Sequence, residues 1–277
     1  MAFDVASVKQ DKSGLSGHKP TSNVPLDPED LSASTGGLLS ATNFSLLQFM
    51  MFAYKLTPWQ TSALQTQVPW ANTDRYDIQA RASGNPTKDQ LRLMMQALLV
   101  ERFKLMIHFE TQQLPVFAMV LDKPGKLGPK LQPHSDDASC SNTLLPLISS
   151  GGPQPTVAGG FPEMCGAILV VQPSAPGLVR AGGRDMPMAM IAMSFSFPVT
   201  GIDRPIVDKT GLAGKFDFVI EFTPELSRPS QPGVPQPDDT GPTFLEALKE
   251  QLGLKLDKQT GSVDSIVVDH IEQPSEN

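Results

Sequence analysis

The chain has 277 residues, 40% hydrophobic and 18% charged, enough apolar material for one large or two small domains, which excludes wholesale disorder. Net charge is −7 and no lysine/arginine run forms a stripe, which argues against nucleic acid and against an anionic membrane surface, since both need clustered cations. No window approaches the roughly 18–20 continuous apolar residues of a membrane span, so no membrane span is expected in this chain.

Phe3 to Val8 alternates and predicts a strand beginning two residues after Met1. No signal peptide is visible. Such a start fits a natural cytosolic protein and equally an exported chain whose signal has been replaced by Met-Ala. Gln10 to Gly36 reads as loop and Leu38 to Thr42 as a short strand. Asn43 or Ser45 can cap a helix over Leu46 to Lys55, which Thr57-Pro58 should stop. Trp59 to Asp74 reads as irregular, with Val68-Pro69-Trp70 as an anchor to the core.

Tyr76 to Ala82 is a strand, and Thr87 caps the most regular helix of the chain. Leu91, Met94, Met95, Leu98 and Leu99 share one face of that helix, with Lys88, Arg92, Gln96 and Glu101 mostly opposite. A methionine-rich stripe can serve as an adaptable groove, but beside a strand pattern it reads as core. Leu105 to Phe109 and Val116 to Leu121 then predict two strands joined through Thr111 to Pro115.

Asp122 to Gly177 is rich in proline and glycine, with one strand candidate, Ala167 to Gln172. It either separates two domains or forms a large excursion over one face. Cys140 and Cys165 lie in this segment, as two unrelated thiols or one disulfide. A disulfide is expected, because loop cysteines lack the buried apolar setting of structural thiols. It would constrain the unfolded chain by roughly 3–4 kcal/mol and imply an oxidising compartment. No CxxC or histidine pair completes a ligand set, so neither metal nor cofactor is expected.

Leu178 to Ala181 predicts a strand, Asp185 a cap, and Pro187 the first turn of an apolar helix, Met188 to Phe197. Arg204 to Asp208 is a strand, Lys209 to Gly214 a turn, and Lys215 to Phe222 a strand with Phe216, Phe218 and Ile220 or Phe222 on one side. Thr223 to Asp239 is a Pro-rich loop. Thr243 and Glu246 make a capping-box pattern for the last helix, ended by Gly253. Leu254 to Lys258, a turn at Gln259-Thr260-Gly261, and Val263 to His270 read as a closing hairpin.

The second half repeats the plan of the first. At one fixed offset Met95 meets Phe244, Leu99 meets Leu248, Phe103 meets Leu252, Leu105 meets Leu254, and Thr111 meets Thr260; upstream, Asp77 meets Asp217. The fold class expected is α+β: two related βαββαββ-type subdomains from an internal duplication, with small mixed or antiparallel sheets and helices on one face. The domains expected are 1–122, a linker or excursion 123–177, and 178–277. The plan is similar to the short domains of secretins and TonB-dependent receptors, an analogy of fold that carries no function.

Four runs carry a family resemblance: FDVASVK, DRYDIQARA with TKDQLRLMMQALLVERFKLMIHFETQQLPVFAMVL, RPIVDKTGLAGKFDFVIEFTPE, and ALKEQLGLKL with VDSIVVDHIEQPSEN. Together they resemble the DUF3738 family, soil-associated bacterial proteins of unknown function abundant in Acidobacteria. The resemblance implies an exported protein, and relatives fused behind a membrane peptidase module imply an extracytoplasmic sensing or binding role. The family defines no catalytic residues. The run MPMAMIAMSFSF departs from the family's more polar pattern at the helix after Gly183.

Chemistry is sparsely signalled. His18, His108, His134 and His270 are scattered, and none belongs to HExxH. Lys209-Thr210-Gly211 and Ser16-Gly17-His18-Lys19 match two motifs of acyl-serine enzymes, but the serine lies in a Gly-rich loop and the K-T-G in a turn. Asp77 and Asp217 read as outward-facing strand residues or as partners of Arg75 and Lys215. The leading expectation is a secreted or periplasmic, non-catalytic module that binds an unknown ligand, peptide or envelope protein. The rival is an extracytoplasmic hydrolase with a site between the halves, for which His108, His270, Asp208, Lys209 and Thr210 are the candidates.

Overall fold

The computed structural model describes residues 1–12, 19–29, 34–135, 140, 156–196, 198–225 and 241–274. The serine motif at Ser16-Gly17-His18, Phe197 and most of the Pro-rich loop before Asp239 lie outside the described residues. The strands are β1 Val5–Asp11, β2 Thr21–Ser22, β3 Leu38–Ser45, β4 Arg75–Arg81, β5 Met106–Leu121, β6 Leu131–Pro133, β7 Ile168–Val170, β8 Val179–Pro187, β9 Ile206–Asp208, β10 Lys215–Phe222 and β11 Leu254–His270. The helices are α1 Leu46–Tyr54, α2 Pro58–Gln67, α3 Trp70–Thr73, α4 Lys88–Phe103, α5 Met188–Ser194 and α6 Phe244–Ala247, the last continued by a π-turn over Leu248–Leu252. The class is α+β with small sheets, as expected.

Two compact units divide the chain. One draws on Met1–Gln112 and Ser262–Asn277, the other on Gln113–Asn142 and Gly151–Gly261. In the first, four antiparallel strands run in the order β1-β4-β3-β2. Helices α1 and α4 bury Phe49, Phe52, Met95, Leu99 and Phe103 with Leu39, Ala41, Tyr76 and Ile78 of the sheet. The methionine stripe of α4 is therefore core. Burial of its opposite face was not expected: Lys88 and Arg92 are 4% and 3% exposed. Lys88 pairs with Asp27 at 2.7 Å, and burial pulls its pKa down against that pairing. Arg92 pairs with Asp89 and lies over the Phe52 ring. Their alkyl stems cover apolar surface while the charged heads find fixed partners.

Trp59 to Asp74 is helical rather than irregular, because Thr57 is a cap and not a stop. Its hydroxyl accepts from Gln60 N, Gln60 reaches back to the Thr57 backbone, and Pro58 occupies the first turn, where no amide is needed. The same reciprocal box starts α1 at Ser45, α4 at Thr87 and α6 at Thr243.

In the second unit, four antiparallel strands run β6-β10-β8-β7. β10 was expected to alternate, but Phe216 to Ile220 are all buried because it lies between two neighbours with both faces covered. Phe216, Phe218, Ile220 and Phe222 join the main cluster with Phe195 and Phe244, and Val219 packs with Phe161 and Val171 on the other side. The predicted strand at Leu178 to Ala181 runs on to Pro187, so Asp185 is a strand residue and not a helix cap.

Both predicted hairpins at the ends of the halves are single long strands, ordered β11-β5-β9. Thr111 to Pro115 continues β5 with its side chains largely exposed. Gly261 does not turn the chain; a Cβ there would meet Val116 Cγ2 at 2.9 Å, so the glycine permits a close approach. Within the first unit, Thr111 bonds Asp264 and His108 bonds Asp269, an opposite order that makes β5 and β11 antiparallel.

Each four-stranded sheet carries a bulge of the same construction. Between Ala41–Ile78 and Phe44–Tyr76 the register of β3 slips, leaving Thr42 and Asn43 opposite Asp77. Asn43 has φ 59° and donates its amide to Asp77 Oδ1 at 2.9 Å. Between Gly183–Phe218 and Met186–Phe216 the register of β8 slips, leaving Arg184 and Asp185 opposite Asp217. Asp185 has φ 58° and donates its amide to Asp217 Oδ1 at 3.1 Å. Asp77 keeps to the half-exposed side of an alternating β4, whereas Asp217 is buried and not the outward strand residue expected from alternation; each accepts the amide that the bulge frees.

Tyr76 is fully buried edge-on against Phe103, at 5.1 Å between ring centroids. Its hydroxyl meets no partner among the described residues, and burial, with Asp74 second, pushes its pKa up to about 12. An orphaned buried hydroxyl costs more than it returns, so Tyr76→Phe is expected to stabilise the protein by about 1 kcal/mol. Urea denaturation of the two proteins measures this, and a loss of stability would show that the hydroxyl is satisfied.

Candidate functional site

The densest polar chemistry in the described structure is built on the second bulge. Asp217, 3% exposed in the middle of β10, is a carboxylate that cannot be left unpartnered there. Its Oδ1 accepts from the Asp185 amide and from His134 Nδ1 at 2.6 Å, and its Oδ2 faces Arg184 Nε at 3.4 Å. Arg184 is 4% exposed. His134 is placed by β6: Leu131 to Pro133 pair with Phe216 to Phe218, and the next amide, His134 N, donates to Lys215 O at 2.9 Å. Lys215 in turn pairs with Asp185 at 2.7 Å. Local pairing therefore delivers an imidazole, a guanidinium and a carboxylate to one buried point.

Cys140 and Cys165 form a disulfide beside this cluster, as expected. Their Sγ atoms and one ring nitrogen of His134 lie within 4.8 Å of one another, the closest gathering of metal-type donors among the described residues. With the sulfurs bonded to each other they are not thiolate donors. Cys165 is half-buried, as are Cys140 and His134. His134 was a scattered histidine in the sequence. Its position shortly before Cys140 was the available signal, and nothing in spacing announced Arg184.

The residues singled out for a cleft fall in different units. His108 lies exposed on β5 in the first, its Nδ1 on Asp269 at 2.9 Å and its Nε2 on Glu110 at 3.1 Å. Hydrogen bonds to Asp269 and then Glu110 raise its pKa. His270 ends β11 in the same unit, its Nε2 on Glu272 at 2.8 Å. Asp208, Lys209 and Thr210 belong to the second unit and close a turn. Asp208 Oδ1 accepts from the amide and hydroxyl of Thr210, Lys209 N donates to Met119 O, and Gly211 takes φ 71°. The K-T-G run is a structural turn.

The second unit also holds a groove of about 630 Å³. Phe117, Phe244, Leu245 and Leu256 supply its apolar lining, and Asp203, Arg204, Glu225 and Lys258 its charges. Arg204 lies 5.0 Å over the Phe117 ring and forks onto Asp203 at 2.8 and 2.9 Å, which holds the Asp203 carboxyl below its ordinary range. Leu245 is 54% exposed at the edge, and the buried Thr223 Oγ1 in the wall has no partner among the described residues.

These features define a disulfide-bonded α+β protein with a buried polar cluster and an amphipathic groove in its second unit. The chain belongs to the DUF3738 family, proteins of unknown function, whose family model matches residues 47–271. No curated protein and no solved structure matches it. No helix among the described residues is long and apolar enough to cross a membrane.

Two measurements test this geometry. Cys165→Ser is expected to lower unfolding free energy by roughly 3–4 kcal/mol through the opened loop, measured by denaturant titration; an unchanged midpoint would mean the disulfide adds nothing to stability. For His108, the folded pKa lies above the unfolded value. Its stabilisation is therefore complete below about pH 6.5 and lost as pH rises through the raised folded value. The advantage of the wild type over His108→Gln should follow that window in denaturation at several pH values, and an advantage that grows with pH would contradict the pairing.

Proposed function

We propose that this is an extracytoplasmic, non-catalytic binding module whose ligand occupies the groove of the second unit. The groove carries the reading. Its volume suits a small ligand or a short peptide segment, its lining is mainly apolar with a few fixed charges, and its wall contains an unsatisfied hydroxyl, the usual composition of a ligand pocket. An exposed leucine at the rim adds apolar surface that a ligand would cover. The chemistry that fits is amphipathic: one or two apolar groups against Phe117, Leu245 and Leu256, with a carboxylate toward Arg204 and Lys258. Peptides and envelope-polymer fragments have this character. The disulfide is consistent with export.

The two units are read as copies of one ancestral element. The supports are the matching bulges at Asn43/Asp77 and Asp185/Asp217 and the matching left-handed caps at Lys104 and Gly253, at the offset that aligns the two helices. In both, a strand runs into a helix (β3 into α1, β8 into α5) and a later strand is followed by a second helix and a long strand (β4, α4, β5 and β10, α6, β11), which is all the likeness of plan to secretin and TonB-receptor short domains amounts to.

The test is a thermal-shift and calorimetric screen of short peptides and peptidoglycan fragments against wild type and Leu245→Asp. Leu245 is exposed, so the variant should keep its stability within about 0.5 kcal/mol while ligand affinity falls at least tenfold. Binding that survives both Leu245→Asp and Arg204→Ala, or a screen in which nothing binds, overturns the groove assignment.

A further inference from the structure

The two bulges offer an internal comparison. In the first unit Asp77 accepts the freed amide of Asn43, and the residue beside Asn43 is Thr42, whose hydroxyl bonds Thr21. No imidazole, guanidinium or sulfur is bonded to Asp77 among the described residues, and the bulge is formed. Asp217 performs the same backbone task and in addition holds His134 and faces Arg184, with the disulfide within reach of the imidazole. The extra groups are therefore not required to make the bulge. A carboxylate that fixes one ring nitrogen of a histidine orients the other and stabilises the imidazolium. A half-buried disulfide beside such a histidine has what exchange needs: access for an attacking thiol and an imidazole that can take its proton and then pair with the departing thiolate.

We propose that the Cys140–Cys165 disulfide is an exchange centre that accepts two electrons from substrate dithiols, with His134 as the proton acceptor beside it. The step balances as follows. A substrate thiol gives its proton to His134, and its thiolate attacks one sulfur. The S–S bond breaks, and its electron pair leaves on the other sulfur as a thiolate paired with the imidazolium. The second substrate thiol attacks the resulting mixed disulfide, releasing the substrate as a disulfide. One proton ends on a cysteine thiol and the other stays on His134, whose imidazolium pairs with the thiolate of the second cysteine. The substrate loses two electrons and two protons, and the protein gains both. The charged groups around His134 among the described residues are Asp217 and Arg184, with the Asp185–Lys215 pair at the same bulge. The substrate class is a paired thiol, either a small dithiol or two cysteines on an exposed segment. The proposal is independent of the groove.

The experiment equilibrates the folded, oxidised full chain with mixtures of reduced and oxidised dithiothreitol and counts free thiols by alkylation. His134→Asn is compared with His270→Asn, which lies in the other unit. The wild type and His270→Asn should be reduced without unfolding. His134→Asn should be at least tenfold harder to reduce, about 30 mV for two electrons. The alkylation rate of the reduced wild type should level off below neutral pH, where an ordinary thiol falls about tenfold per pH unit. A disulfide that opens only on unfolding, or equal equilibria and pH profiles in wild type and His134→Asn, would make it a plain staple. If His134→Asn does not fold, the wild-type profile decides alone: a plateau supports the proposal and a continuous tenfold fall overturns it.

Discussion

An aspartate that satisfies a misaligned strand is the interaction on which both sheets depend. A strand residue in the left-handed region costs roughly 1–2 kcal/mol for most side chains, less for Asn and Asp. It also frees an amide from the ladder. In the first unit Asp77 accepts that amide from Asn43; in the second Asp217 accepts it from Asp185. An unpaired amide inside a sheet would cost about 1–3 kcal/mol more. The carboxylate therefore makes the bulge tenable, and the bulge lets two residues of one strand face a single residue of the next. Arg184 reaches Asp217 for that reason, where a regular ladder would send successive side chains to opposite faces.

Consistency between local signals explains how far the residues alone led. Helix α4 has its cap and its apolar stripe in one reading frame, so its start and core face followed from Thr87 and Leu91 to Leu99. The cysteines were placed correctly because a Pro/Gly-rich setting disfavours buried thiols. The failures have physical reasons as well. Thr57-Pro58 was read as the end of one helix, but α1 has already stopped at Lys55 in the left-handed region and the dipeptide starts α2, since proline after a capping threonine serves either reading. The Gln259-Thr260-Gly261 run has turn composition, but its glycine answers a neighbour, Val116, that lies far away in sequence. Lys88 and Arg92 were assigned to solvent because their partners, Asp27 and the Phe52 ring, come from distant segments.

The polar cluster was illegible for a stronger version of the same reason. Its three side chains come from β8, β10 and the residue that follows β6, and each is brought in by strand pairing rather than by motif spacing. Asp217 sat in a run, KFDFVIEF, whose pattern said surface, because alternation assumes one wet face. β10 has none, being flanked by β6 and β8 and covered on both sides. A buried aspartate in such a strand is the sign that something must hydrogen-bond it.

Holding the backbone and holding His134 place different demands on one carboxylate. The backbone task needs an acceptor aimed at the Asp185 amide, and Asp77 shows that this is sufficient in a sheet of the same design. The second task needs a negative charge beside an imidazole, and Asp217 meets both with one oxygen, Oδ1, while Oδ2 faces Arg184. Substituting Asp217 would therefore disturb the strand and the imidazole together. His134 follows the end of β6 and is bound to the sheet through its own amide, which any residue but proline can supply. The imidazole can be exchanged while that backbone bond remains, so the histidine is the point at which the architecture of the unit and its chemistry come apart.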